Sequence, residues 1–256
     1  MVRRSKKSLR SKNKTEPIVH LGVQPPSDII IFIMSRKPFV TGKFYHVFNR
    51  GVDKRNIFSD EYDSARFLES MLVFNNIEPI GSIYERSFKK EALLGGPTPK
   101  SERLVNIVAY CLILNHFHLI LEQVSEGGIS EFMKRLSGGY TTYFNLREER
   151  SGHLFQGKFK ARHVTTDEYL LHLSAYVNLN DRVHQLGNSL GGPTPKLTRS
   201  SWEEYVGEVK LPMCEKDVVL GRFKNSGEYK KYAESALVTM VERKKNEKEM
   251  RSLMLE

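Results

Sequence analysis

The residues best suited to chemistry in this chain are two histidines one residue apart, and a tyrosine and an asparagine four residues apart. His116 and His118 interrupt an apolar, β-prone run, residues 109–121, as Asn115-His116-Phe117-His118. Side chains alternate across a strand, so both imidazoles project from one face while Phe117 points to the other. The flanking apolar residues hold that strand inside a sheet, where two neighbouring imidazoles need partners. A metal ion is one answer and hydrogen bonding within the sheet is the other. His-x-His alone does not choose between them, because the pair also serves zinc hydrolases and cupin barrels. Downstream, Tyr176-Val177-Asn178-Leu179-Asn180 puts Tyr176 and Asn180 on one face of a helix. If that face covers the histidine strand, His116, His118 and the Asn180 amide oxygen form an N,N,O metal site open to water and a phosphate oxygen. Tyr176 then stands beside it as a nucleophile. Imidazole combined with hard oxygen suits Mg²⁺ or Mn²⁺.

Those positions have to be held by a defined set of elements. Residues 43–49 read as a strand by aromatic and β-branched content, stopped by Arg50-Gly51. Residues 60–75 read as an amphipathic helix, with Ala65, Leu68, Met71, Leu72 and Phe74 near helical spacing and Ser59 or Asp60 as cap. The pattern lapses over about 82–102. Residues 104–114 form the next strand, and a turn at Asn115 makes a hairpin with the histidine strand, 116–123. After Gly127-Gly128, residues 130–147 read as a helix, and 158–164 as a strand. Thr165 and Glu168 then make a capping box for a helix running to about Leu179. Strand, helix, strand, strand, helix, strand, helix is an α+β plan: an antiparallel sheet with helices packed on it, close to a ferredoxin-like fold. The expected organisation is a basic tail over 1–40, a catalytic domain over 41–184, a Gly/Pro loop over 185–200 and a helical extension over 201–256. The segment Leu-Gly-Gly-Pro-Thr-Pro-Lys occurs identically at 94–100 and 190–196. Both copies fall where periodicity lapses and read as surface loops rather than as a repeat architecture.

Lys+Arg total 40 against 30 Asp+Glu, a net charge of +10. That balance favours a polyanionic partner, nucleic acid before an anionic membrane surface. Residues 1–34 hold seven basic residues and two acids and supply half of the net charge, so the folded part is only mildly basic. Met34-Ser35-Arg36-Lys37-Pro38 leads directly into the first folded element, which makes Met34 an alternative start. Residues 29–34 are the longest apolar stretch near the beginning, far short of the roughly 20 residues needed to span lipid. The two cysteines, Cys111 and Cys214, match no zinc pattern and read as buried free thiols in a reducing cytosol. Lys134, Arg135, Arg147, Lys158, Lys160 and Arg162 are interleaved with Tyr140, Tyr143, Phe155 and Phe159. That mixture suits a groove for unstacked bases, although Glu148 and Glu149 interrupt it. Tyr140, Tyr143 and Tyr169 are rival nucleophiles, but aromatics on helix faces are mostly core. His172 shares the Tyr176 face, and His46 on the first strand can face the same site or be satisfied structurally.

Five segments in this order resemble the single-tyrosine HUH transposases, and within them the REP-associated tyrosine transposases. They are Phe44-Tyr45-His46-Val47-Phe48-Asn49-Arg50-Gly51, Asn115-His116-Phe117-His118, Gly152-His153-Leu154-Phe155-Gln156-Gly157-Lys158-Phe159, Asp167-Glu168-Tyr169-Leu170, and Tyr176-Val177-Asn178-Leu179-Asn180. The resemblance spans most of residues 40–235. It implies a metal-dependent transesterase of single-stranded, hairpin-bearing DNA, using Mg²⁺ or Mn²⁺. In that reading Tyr176 is the catalytic nucleophile and forms a 5′-phosphotyrosine link. His116, His118 and Asn180 are the metal ligands. Arg50, Lys134, Arg135, Tyr140, Arg147, Lys158, Lys160 and Arg162 contact DNA. A phenol with a pKa of about 10 needs its proton removed or its anion stabilised before it attacks at neutral pH. The family commonly continues Asn-Pro, whereas Asp181 follows Asn180 here and either ends the helix or itself approaches the metal. The expected setting is the cytoplasm and its nucleoid, away from membranes, as a monomer or homodimer. A binding protein that keeps the fold but no longer cuts is the alternative, and a small-molecule metal hydrolase is a third reading.

Overall fold

Three stretches rich in aromatic and β-branched residues become the centre of a sheet in the computed structural model, which describes residues 38–78, 102–186, 198–207, 209 and 212–253. They are β1 (Phe44–Arg50), β2 (Val105–Ile113) and β3 (His116–Gln123). A two-residue turn, Leu114-Asn115, joins β2 to β3, as the hairpin reading required. β4 (Lys160–His163) pairs with the other side of β1, and β5 (Arg199–Ser200) with the outer side of β2. The order is β4-β1-β3-β2-β5, and every pairing is antiparallel. Between the strands run α1 (Glu61–Val73), after β1, and α2 (Gly128–Arg147), after β3. The path β1-α1-β2-β3-α2-β4 with spatial order β4-β1-β3-β2 is the ferredoxin-like arrangement read from the sequence. α3 (Asp167–Asn178) and α4 (Asn180–Leu186) follow β4. After β5 come α5 (Trp202–Val206), α6 (Asp217–Leu220) and α7 (Ser226–Leu253).

Local chemistry sets the helix starts. Asp60 caps α1 by accepting from the Asp63 amide at 3.0 Å, and Asp63 reaches back to accept from the Ser59 amide at 2.6 Å. α2 opens on Gly127 in the left-handed region, φ 66°. At Gly128 a Cβ would lie 2.1 Å from the Leu104 carbonyl oxygen, so the close approach of chain to helix requires glycine there. α3 is capped by Thr166, whose hydroxyl accepts from the Tyr169 amide at 3.1 Å, one residue later than the Thr165 cap expected from the sequence. Both threonines fit a cap, and the extended backbone at Thr166 decides.

The sheet has two different faces. Phe117, Leu119 and Leu121 point toward α1 and α2, where Phe117 meets Phe67 at 5.2 Å and Phe67 meets Tyr140 at 4.9 Å between ring centroids. This side holds most of the large buried aromatics. The opposite face carries His46, Phe48, Cys111, His116 and His118, and α3 lies over β2 and β3 there. α7 packs on the back of α3, and Arg199, Ser201, Tyr205 and Glu215 lie along the free side of β2. Ser201 exchanges hydrogen bonds with the Tyr110 backbone, the Tyr205 hydroxyl donates to the Val108 carbonyl at 2.8 Å, and the Glu215 amide donates to the Ile107 carbonyl at 2.8 Å.

Cys111 and Cys214 are free and buried, and burial pushes both thiols upward. Among the described residues no helix is long and apolar enough to cross a membrane. The basic tail to residue 37, Met34 as an alternative start, the interruption through residue 101 and both copies of the seven-residue Gly/Pro segment lie outside the described residues.

Candidate active site

Strand alternation and register bring three histidines together on the α3 side of the sheet. Across the β1–β3 ladder, Arg50 pairs with His116, Phe48 with His118 and His46 with Ile120, so all six share one face. His116 and His118 rings lie 5.2 Å apart at 84°. The tautomer of His116 follows from its neighbour. The Asn115 side-chain nitrogen donates to the Lys54 carbonyl at 3.1 Å, which turns its oxygen toward His116 Nδ1 at 2.6 Å. An amide oxygen only accepts, so Nδ1 carries the proton and Nε2 carries the lone pair. His118 is 8% exposed and its Nδ1 lies 2.9 Å from His46 Nε2. Burial first, and then the nearby Arg162 guanidinium, pull the His46 imidazole down to about 4.

α3 delivers the tyrosine. Tyr176 is half-buried, with its ring 5.7 Å from His118 at 85° and 6.3 Å from His46 at 80°. The helix is held by a buried polar chain two residues further on. Asn178 Nδ2 donates to the Tyr229 hydroxyl on α7 at 2.8 Å, and Asn178 Oδ1 accepts from Ser201 Oγ at 2.5 Å. The helix expected to about Leu179 ends one residue earlier, so the single helical face that would carry both Tyr176 and Asn180 does not form. α3 ends at Asn178, Leu179 leaves helical geometry at φ −113° and ψ 13°, and Asn180 begins α4. Asp181, at the position of the family's proline, therefore sits in the first turn of a new helix, against Cys111. Cys111 is the direct cross-strand neighbour of His118.

The basic residues divide between two sides. Lys160 pairs with Phe48 and Arg162 with His46 across β1–β4, and both are exposed on the histidine face. Arg50, also exposed, bonds Gln156 beside His116, and Lys158 is exposed in the following loop. The α2 residues lie on the other face and are engaged there. Arg135 pairs with Glu131 at 2.8 Å and donates to the Asn76 carbonyl at 2.6 Å. Arg147 bridges Asp60 and Asp63, and Lys134 is exposed beside Glu131. Tyr140 is fully buried with its hydroxyl on the Ile57 carbonyl at 2.6 Å, so it offers no face to a base. Tyr143 donates to Asp63 at 3.1 Å on the same side, leaving Tyr140 and Tyr143 remote from the histidines as nucleophiles. A single groove running from α2 to β4 is therefore not what the fold builds; the basic surface beside the histidines comes from β1 and β4.

Among the described residues no three His, Cys, Asp or Glu side chains gather into a metal site. The donor set expected from the sequence is instead two imidazoles and an amide. Asn180 is fully buried, yet neither its Oδ1 nor its Nδ2 has a hydrogen-bond partner. An orphaned buried amide is costly unless something satisfies it. Its oxygen and the Nε2 lone pair of His116 are each donors of the kind that Mg²⁺ or Mn²⁺ accepts.

Asn115, read from the sequence only as a turn, and Asn178 were given no role in the site. The histidine neighbours Asn115 in sequence, which is a usable signal; Asn178 shows itself only through partners far along the chain.

Residues 99–180 match the model of a family described as transposase IS200-like. That segment holds His116, His118, Tyr176 and Asn180, and stops short of β1. A solved structure of a REP-associated tyrosine transposase bound to a REP hairpin is similar at 14% identity, over 67% of this chain and 84% of that one, with a TM-score of 0.39. No curated protein matches the chain.

Proposed function

We propose that this chain, whose residues 99–180 match the model of the IS200-like transposases, cuts and rejoins single-stranded DNA through a covalent bond between Tyr176 and a 5′ phosphate. The observation that carries the reading is the meeting of Tyr176 with His118, ring to ring at 5.7 Å, on the face that also bears His116. The Tyr176 oxygen forms a bond to phosphorus, the bond from phosphorus to the 3′ oxygen breaks, and the phenol proton ends on the released 3′-hydroxyl. In the second half a 3′-hydroxyl of another strand attacks the same phosphorus and the phenol departs with a proton. One phosphodiester is exchanged for another at each step, so joining consumes no nucleotide triphosphate. A divalent cation held by His116, His118 and Asn180 would polarise the scissile phosphate and offset its developing charge.

The remaining residues bind and orient. Arg50 on β1, Lys160 and Arg162 on β4 and Lys158 in the loop before β4 suit the backbone of a single strand, or the strand leaving a hairpin, as it crosses the histidine face. The proximity of Tyr176 to His118 of its own chain supports attack within one subunit, whether the protein works as a monomer or a homodimer. A DNA substrate of this kind implies a setting with nucleoid DNA in the cytoplasm.

The test uses labelled single strands from the flanks of the protein's own gene, incubated with Mn²⁺ or Mg²⁺ and resolved on a denaturing gel. A protein–DNA adduct that requires the metal, is abolished by EDTA and disappears in Tyr176→Phe is expected. Tight binding to a hairpin strand without any adduct would turn the reading toward a binding protein that has lost cleavage. An adduct that survives in Tyr176→Phe would assign the nucleophile elsewhere.

A further inference from the structure

We propose that His46 acts as a positioning residue, accepting a hydrogen bond from Nδ1–H of His118 and so fixing His118 in the tautomer whose Nε2 lone pair can hold a divalent cation. The inference rests on the reading of His118 as a ligand, and adds a residue from β1, outside the segment that matches the family.

Geometry supports a real bond between the rings. Nε2 of His46 and Nδ1 of His118 are 2.9 Å apart, while the centroids are 5.1 Å apart at an interplanar angle of 22°. The centroid separation equals the nitrogen separation plus the two ring radii, so the bond lies nearly in the plane of both imidazoles, where nitrogen lone pairs and N–H bonds point. Phe48 lies 4.9 Å from His46 at a tilt of 36° and stacks on His118 at 5.7 Å, and the two histidines are 7% and 8% exposed. Neither ring is free to turn away into water.

Direction follows from chemistry. If His46 donated, neutral His118 would carry its proton on Nε2 and offer nothing to an ion. If His46 accepts, Nδ1 of His118 carries the proton and Nε2 is the donor atom. The neighbouring ligand shows the same arrangement with a different acceptor. His116 donates Nδ1–H to the Asn115 amide oxygen, and that amide is oriented by the Lys54 carbonyl. Asn115 and His46 thus do one job for two histidines, one from the hairpin turn and one from the adjacent strand.

Long-range proton–nitrogen NMR spectra of the full chain labelled with ¹⁵N-histidine, metal-free and above pH 7.5, read the tautomer directly. His118 should be protonated at Nδ1 in the unsubstituted protein and in His46→Gln, whose amide oxygen accepts, and should revert to the Nε2-protonated form in His46→Leu. Calorimetric titration with Mn²⁺ should show affinity falling about 10–100-fold in His46→Leu and staying near the unsubstituted value in His46→Gln. His118 protonated at Nε2 in the unsubstituted protein overturns the inference, and so do an unchanged tautomer and affinity in His46→Leu. Because the unsubstituted tautomer decides, the inference stays testable if His46→Leu fails to fold. Absence of Mn²⁺ uptake by a protein with His118 protonated at Nδ1 overturns the metal reading and leaves the role of His46 standing.

Discussion

At the scale of single residues, His46 makes folding sensitive to acid. Its imidazole is held down to about 4, against an ordinary 6.5, because burial and then Arg162 disfavour the charged ring. Between those pH values the unfolded chain takes up a proton that the folded chain refuses, so stability from this residue is complete above pH 6.5 and is lost as pH falls toward 4. The full effect corresponds to about 3 kcal/mol. Urea denaturation at pH 7 and pH 4 should show that loss, and His46→Phe should remove most of the difference; an equal acid dependence in both proteins would refute it. That His116 and His118 share one face was legible in the sequence because strand alternation depends on local spacing alone, whereas the approach of Tyr176 to them had to be supposed. The bond between His46 and His118 was not, since it joins residues 72 positions apart and depends on the β1–β3 register. Spacing says which face a histidine is on; only register says what it meets there.

At the scale of elements, α3 matters as the carrier of Tyr176, and its placement depends on α7. Asn178 Nδ2 donates to Tyr229, which is buried and also lies 3.2 Å from Ser174 Oγ. Tyr229→Phe keeps the ring and removes the acceptor, leaving a buried amide proton without a partner. Chemical denaturation should show a loss of about 1–3 kcal/mol. Stability equal to the unsubstituted protein would mean that packing of α7 alone holds α3. Helix positions were well marked by apolar periodicity and capping residues, and the core face of α2 is made by Phe132, Met133, Leu136, Tyr140 and Phe144 at helical spacing. The function of its charges was not marked. Arg147 looks in sequence like part of a basic groove, yet it meets Asp60 and Asp63, 87 and 84 residues away. A run of cations does not disclose which carboxylates will face it. Similarly, the four-residue spacing of Tyr176 and Asn180 implies one helical face, but Leu179 breaks the helix between them, and no local signal as strong as proline announces it.

At the scale of the whole molecule, residues after 198 complete the sheet rather than merely follow it. A chain ending at Leu197 would lose β5 and α5 to α7, and with them the partners of Ile107, Val108, Tyr110 and Leu112 along β2. Sedimentation velocity should then show larger species that the full chain does not form; a truncated protein that sediments as the full one does would refute this. The reason is the one-sided hunger of an exposed strand. An unpaired row of backbone amides and carbonyls recruits any extended segment, including the same row on a second copy. Here the row is answered, group after group, by Arg199, Ser201, Tyr205 and Glu215 of the same chain. Two copies of this protein therefore cannot fuse their sheets through β2, and any partnership between them has to be made on a surface that leaves this self-sealed seam closed.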